Sequence, residues 1–209
     1  MSGEQLATGF YFTSAVYSID KPEFLDVVKP VCEEYLSKQR VQSKHELYPV
    51  YQTESINFDP RLNDFCSFIG TTGWNILLSQ GYQMAGLSAV FNEMWCQEHY
   101  KHSGMDEHIH GGSAQLVGFY FLETPENCSV PTIHDPRPGK KQINLPEADM
   151  NLVTHASNAV TFAPKPGLLI FASSWLPHSF TRHGNDEPIK FIHFTISVEP
   201  TLVTSAEVV

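Results

Sequence analysis

The sequence predicts a mainly β protein, an antiparallel sandwich or barrel with helices supporting one face. Three observations carry this expectation. After Gly86 the chain breaks into short runs rich in β-branched and aromatic residues, separated by Gly, Pro, Asn and Asp. Before Gly86, two segments open with helix-start signals. No low-complexity tract or linker separates the halves, so residues 1–209 read as one domain, with a helical support region over about 1–84 and a β core over 85–200.

The first helix is expected in SIDKPEFLDVVKPVCEEYLSKQ. Asp20 can cap its first amide groups, and Pro22 suits the first turn, where a missing N–H does no harm. Phe24, Leu25, Val28, Val31, Cys32 and Tyr35 follow at helical spacing. Pro30 implies a kink or break. The second helix is expected in FDPRLNDFCSFIGTTGWNILLSQGY, where Asp59 and Pro60 repeat the start signal. Leu62, Phe65, Ile69, Ile76 and Leu77 form its apolar stripe, Gly70 and Gly73 weaken its middle, and Gly81 is a C-terminal stop. Strands are then expected in SAVFNEMWCQEHY, QLVGFYFLE, NAVTFAP, GLLIFAS and IKFIHFTISVE. Residues 132–157 read as a long loop holding one short strand.

Composition narrows the function. Hydrophobic residues make up 42% and aromatic residues 12% of the 209, as in a packed globular protein. A net charge of −10, from 13 basic and 23 acidic residues, argues against phosphate-binding surfaces. Nucleic acid and anionic membranes are therefore not expected partners. Cys32, Cys66, Cys96 and Cys128 form no CxxC pair and read as reduced thiols of a cytoplasmic protein. The opening stretch has no basic residue before its apolar residues, so no leader peptide is expected. No stretch is apolar enough to span a bilayer.

Chemistry concentrates in the histidines. In MDEHIHGG, His108 and His110 alternate, so on a strand both side chains leave one face. His178 follows an apolar run in LIFASSWLPHSF. Two ligands from one strand and a third from a distant strand form a triad that leaves three positions open on an octahedral iron. A lone His-x-His pair is more often two surface histidines, and it is the combination with His178 that points to a metal. Gly111 and Gly112 are expected to permit the turn after the pair. His134, His155, His183 and His193 read as structural or surface residues.

From Trp95 onward, MDEHIHGGSAQLVGFYFLETPE, HDPRPG, PKPGLLIFASSWLPHSF and IKFIHFTISV resemble the Fe(II)/2-oxoglutarate-dependent oxygenases. The likeness is to the group with HxH, PGxLxxF and WLPH motifs, and YSIDKPEF and GYQM fit its cyanophage-type members. The resemblance covers about residues 85–200, and PGLLIF…WLPH is its most specific part. It implies a double-stranded β-helix, a jelly-roll of the cupin type, with iron at the open end. It also implies Fe(II), 2-oxoglutarate and O2 as the reacting set and a hydroxylase, prolyl-hydroxylase-like, as the activity. The substrate, a protein or a small molecule, is not named by any residue.

The family's first motif usually ends in a carboxylate, where this chain has His110. Three donor sets follow: the all-histidine triad, which we prefer, Asp135 of HDPR as the carboxylate, or Asp106. For the far carboxylate of 2-oxoglutarate the resemblance implies Lys190, with Arg182 as substitute. The family's cosubstrate-contacting tyrosine falls on Phe121, with Tyr120 beside it. Arg137 is a candidate substrate or loop anchor. Trp175 is a substrate candidate whose plainer reading is core packing. A homodimer is compatible with the sequence. Two other functions stand beside the oxygenase: a cupin-like three-histidine metalloenzyme independent of 2-oxoglutarate, and a non-catalytic phage β-sandwich module.

Overall fold

A computed structural model describes residues 6–41 and 47–201. Of the opening stretch read for a leader, residues 1–5 lie outside that range. Among the described residues the strands are β1 (Val16–Asp20), β2 (Val50–Gln52), β3 (Leu87–His99), β4 (Met105–His108), β5 (Leu116–Glu123), β6 (Pro131–His134), β7 (Ala159–Thr161), β8 (Leu168–Ser173), β9 (His178–Phe180) and β10 (Ile189–Pro200). The helices are α1 (Leu25–Gln39) and α2 (Asn63–Ser79), each entered through a short 3-10 turn. One sheet runs β1-β8-β5-β10-β3-β2 and the other β4-β9-β6-β7, with all pairings antiparallel. This is the double-stranded β-helix that the sequence implies. No helix among the described residues is long and apolar enough to cross a membrane.

The large sheet has two buried faces, and each works with a different partner. Tyr120, Leu169, Phe171, Ile192, Phe194 and Ile196 pack outward against Val28, Leu36, Phe65 and Ile69 of the helices. Val117, Phe119, Phe121, Ile170, Ala172 and Phe191 pack inward against Ile133, Leu176 and Phe180 of the small sheet. Each fully buried Phe contributes about 1.5–3 kcal/mol through the water it excludes. Burial on both faces explains why β5 and β10 read as continuous apolar runs without alternation.

Several local expectations change. Asp20 ends β1 and pairs with Lys165 at 2.7 Å, and Lys21 stands at the helix entry with no side-chain cap. The Asp20 cap is therefore corrected, because the strand pairing of β1 with β8 claims that residue first. Pro22 does sit in the first turn. α1 runs unbroken through Pro30. At the second helix, Asp59 accepts from the Arg61 N–H at 2.9 Å, as a cap should, and Gly81 closes the helix at φ +94. Gly73 lies inside α2 where the helix meets the sheet; a Cβ there would approach Ile196 Cδ1 to 2.7 Å. The expected strands all form, and the short strand expected in residues 132–157 corresponds to β6, which begins one residue earlier and takes up the loop's first three residues. β1 and β2 were not expected.

Candidate metal centre

The triad histidines meet because of strand pairing. β4 and β9 are neighbours in the small sheet, and His108 lies directly opposite His178. His110, two residues on, keeps the same side, and its N–H donates to Ser174 O at 2.9 Å. Gly112 then turns the chain at φ +68, a left-handed conformation that Gly adopts without strain. Ring centroids stand 4.4 Å apart for His108 and His178, and 5.2 Å for His110 from each. One ligand atom from each of the three lies within 4.8 Å of the others.

Hydrogen bonding fixes two of the rings. His178 Nδ1–H donates to Leu176 O at 2.9 Å, and His108 Nδ1–H donates to Asp106 O at 2.8 Å. Each proton on Nδ1 leaves a lone pair on Nε2, the tautomer a metal ligand needs. His178 Nε2 is buried without a partner among the described residues. Burial lowers the His178 pKa to about 4, with the rings of His108, His110 and His134 adding to the effect against the Leu176 bond. Burial, then His108, likewise lowers His110 to about 4. The rings of His110 and His178 are thus neutral near pH 7. An orphaned nitrogen and a set of imidazole donors fit a divalent ion such as Fe(II).

The alternative carboxylates do not join. Asp135 accepts from Arg137 Nε and Nη2 at 2.9 and 2.7 Å, with Lys140 Nζ at 3.3 Å. These partners hold its carboxyl well below the usual range. It belongs to neither donor group close enough to share an ion, and nor does Asp106.

The candidates for the cosubstrate are scattered. Lys190 pairs across β10 with Glu98 on the face turned to α1. Its Nζ sits 3.0 Å from Glu123, 3.2 Å from Glu33 and 3.7 Å from Glu98. It is a structural cation beneath the helix, away from the histidines. Tyr120 is on the same outer face and donates to Lys21 O at 2.7 Å, while Phe121 points inward, so no hydroxyl replaces the family tyrosine. Arg182 is exposed and donates to His102 O at 2.9 Å. The inner face of β10 presents Ile189, Phe191, His193 and Thr195, with no Arg or Lys to meet a second carboxylate. The ion fits this centre, and neither the Lys190 and Arg182 contacts nor the inner face of β10 brings a cation to it.

Arg137 lines a cleft of about 600 Å³ between residues 9–14 and β6–β7. None of the three triad histidines lines that cleft. Trp175 is 48% exposed in the turn between β8 and β9, so its core-packing reading is corrected. His183 is structural as expected, accepting from Ser129 N–H and donating to Glu187 O. His155 stacks on Phe10, and His134 bonds Ser179 Oγ at 2.8 Å. His193 is different. It is 3% exposed, stacks on Trp95 at 4.8 Å, and brings Nε2 to 3.4 Å from His110 Nε2. The sequence offered no sign of this, because both faces of β10 are buried and its pattern does not reveal which one faces the ion.

Residues 93–192 match the family described as "Putative 2OG-Fe(II) oxygenase". No curated protein matches the chain significantly. Among solved structures it is similar to AviO1 from Streptomyces viridochromogenes Tue57, at TM-score 0.62 and 9% identity, covering 88% of this chain and 90% of that one. A Pseudomonas putida prolyl-4-hydroxylase aligns at TM-score 0.59 and 8% identity, over 88% and 93%. A viral collagen prolyl hydroxylase from Paramecium Bursaria Chlorella virus-1, solved with 2OG, aligns at 0.54 and 12%, over 87% and 96%. At these identities the structural likenesses establish the fold.

Proposed function

We propose that the chain, whose residues 93–192 match the 2OG-Fe(II) oxygenase model, is an oxygenase of that kind, and that His108, His110 and His178 hold its iron. The family's cofactors are Fe(II) and 2-oxoglutarate, and O2 is the co-substrate. The reading rests on one observation: three imidazoles converge, two with their Nδ1 protons tied to main-chain carbonyls. We take the reaction to be a hydroxylation of the prolyl-hydroxylase kind on a protein or small molecule. Its support is that two of the similar structures are, by name, prolyl hydroxylases. Arg137 at the cleft and Trp175 in its exposed turn are our candidates for substrate contact. A phage-type origin and a cytoplasmic location complete the reading, supported by YSIDKPEF and GYQM and by the reduced thiols.

In this scheme iron, once bound, supplies O2 activation for oxidising a C–H bond. The chain supplies the rest. Leu176 O and Asp106 O hold protons on Nδ1 and so aim Nε2 of His178 and His108. Phe119 packs its ring 5.7 Å from that of His178, with Phe180 and Phe191 stacked behind it, an apolar surface that excludes water there.

The test is anaerobic addition of Fe(II) and 2-oxoglutarate, followed by visible absorption. A weak charge-transfer band is expected in the native protein, and its loss in His178→Ala. A second reading, the same triad working without 2-oxoglutarate, is favoured by the placement of Lys190 beneath α1. It predicts iron uptake with no band.

A further inference from the structure

Beside the triad stands a second set of donors. Glu93 on β3, His110, and His193 on β10 each bring a ligand atom to within 4.8 Å of the other two. Thr195 is the cross-strand partner of Glu93, and Trp95 that of His193, so both added donors come from paired central strands facing inward. His193 Nε2 lies 3.4 Å from His110 Nε2, and Glu93 Oε1 lies 3.9 Å from His110 Nδ1. His193 Nδ1 is buried with no partner among the described residues.

Two ring nitrogens that face each other either share a proton or share a cation. At 3.4 Å the contact exceeds the usual hydrogen-bond range of about 2.7–3.2 Å. It matches the ligand–ligand edge of a tetrahedron with bonds of about 2.1 Å, the zinc–imidazole length. A carboxylate oxygen of Glu93 completes the group, within 4.8 Å of a nitrogen of each ring.

We propose that Glu93, His110 and His193 form a second position for a divalent cation. It has two imidazoles, one carboxylate and an open fourth place, the donor set of a borderline ion such as Zn(II) or Co(II). A neutral imidazole has a single lone pair, so His110 serves one ion at a time. The two positions are therefore alternatives for one cation, and the carboxylate that the His-x-His motif lacks is supplied from β3.

The experiment is a Co(II) titration of the full chain, read by bound metal and by visible d–d absorption. The His108→Ala/His178→Ala double variant keeps every donor of the second position and is expected to take up one equivalent. Adding His193→Phe or Glu93→Gln to it should weaken binding about tenfold or more. The native protein should bind one equivalent, not two. The proposal is overturned if the double variant, with its circular dichroism and thermal transition intact, takes up no Co(II). It is equally overturned if uptake survives His193→Phe unchanged, or if native protein binds two. Should the double variant fail to fold, His108→Ala alone, at a half-buried position, carries the same comparison. The charge-transfer band reports on the triad separately, so either idea can fail without the other.

Discussion

Lys190 has three carboxylates around its ammonium, and one of them, Glu98, is almost fully buried. Arg40 also donates to Glu98, through Nε and Nη2, both at 2.8 Å. Both cations thus meet the buried Glu98 carboxylate under α1. Replacing Lys190 by Met removes one partner and leaves Arg40, so a loss of about 1–3 kcal/mol is expected in denaturant unfolding. The 2-oxoglutarate requirement should not change; a rise would return Lys190 to the active site. Spacing alone was enough to put His108 and His110 on one side of the chain, beside His178. Lys190 and Tyr120 stand on the outer face, and which face they take depends on register by a single residue.

β5 and β10 are the elements that organise the molecule. Gly118 of β5 lies opposite Phe194 of β10, and a Cβ at Gly118 would stand 2.1 Å from the Phe194 ring and 2.8 Å from Ile170 O. The ring is held between helices and sheet and the oxygen belongs to the main chain, so neither can yield cheaply. Gly118→Ala should therefore cost about 1–3 kcal/mol, seen as a lower midpoint in urea. An unchanged midpoint would mean that Phe194 moves freely. The long strands and α2 were legible because their runs, caps and stops agree. β1 and β2 were not, because each is five residues or fewer and owes its form to a neighbouring strand rather than to its own pattern.

At the scale of the whole molecule, buried histidines link folding to acidity. His99 is 0% exposed, neither ring nitrogen has a partner among the described residues, and burial holds its pKa at about 3. His110 and His178 stand at about 4. In the unfolded chain all three titrate near the usual value of about 6.5. Between that value and 4, the unfolded state takes up protons that the native state refuses, so stability falls as pH falls through this window. Metal-free protein should thus melt earlier at pH 4.5 than at pH 7. His99→Phe should flatten that slope, and an identical slope in the variant would remove His99 from the account. The two-layer architecture was readable from the change in texture at Gly86, and the triad from its motifs. The second donor set was not, since it depends on which inner positions of β3 and β10 meet.

β1 covers one long edge of the large sheet, with all five of its residues paired to β8 from Val16↔Ala172 to Asp20↔Leu168. A shortened protein beginning at Lys21 would keep both helices and every histidine, yet its β8 would present a row of unclaimed amides and carbonyls to solvent. Such a raw border invites a second molecule to dock as the missing strand. Light scattering of the shortened form should show clumping that rises with concentration, and a clear, monodisperse solution would count against a shielding role for these few residues.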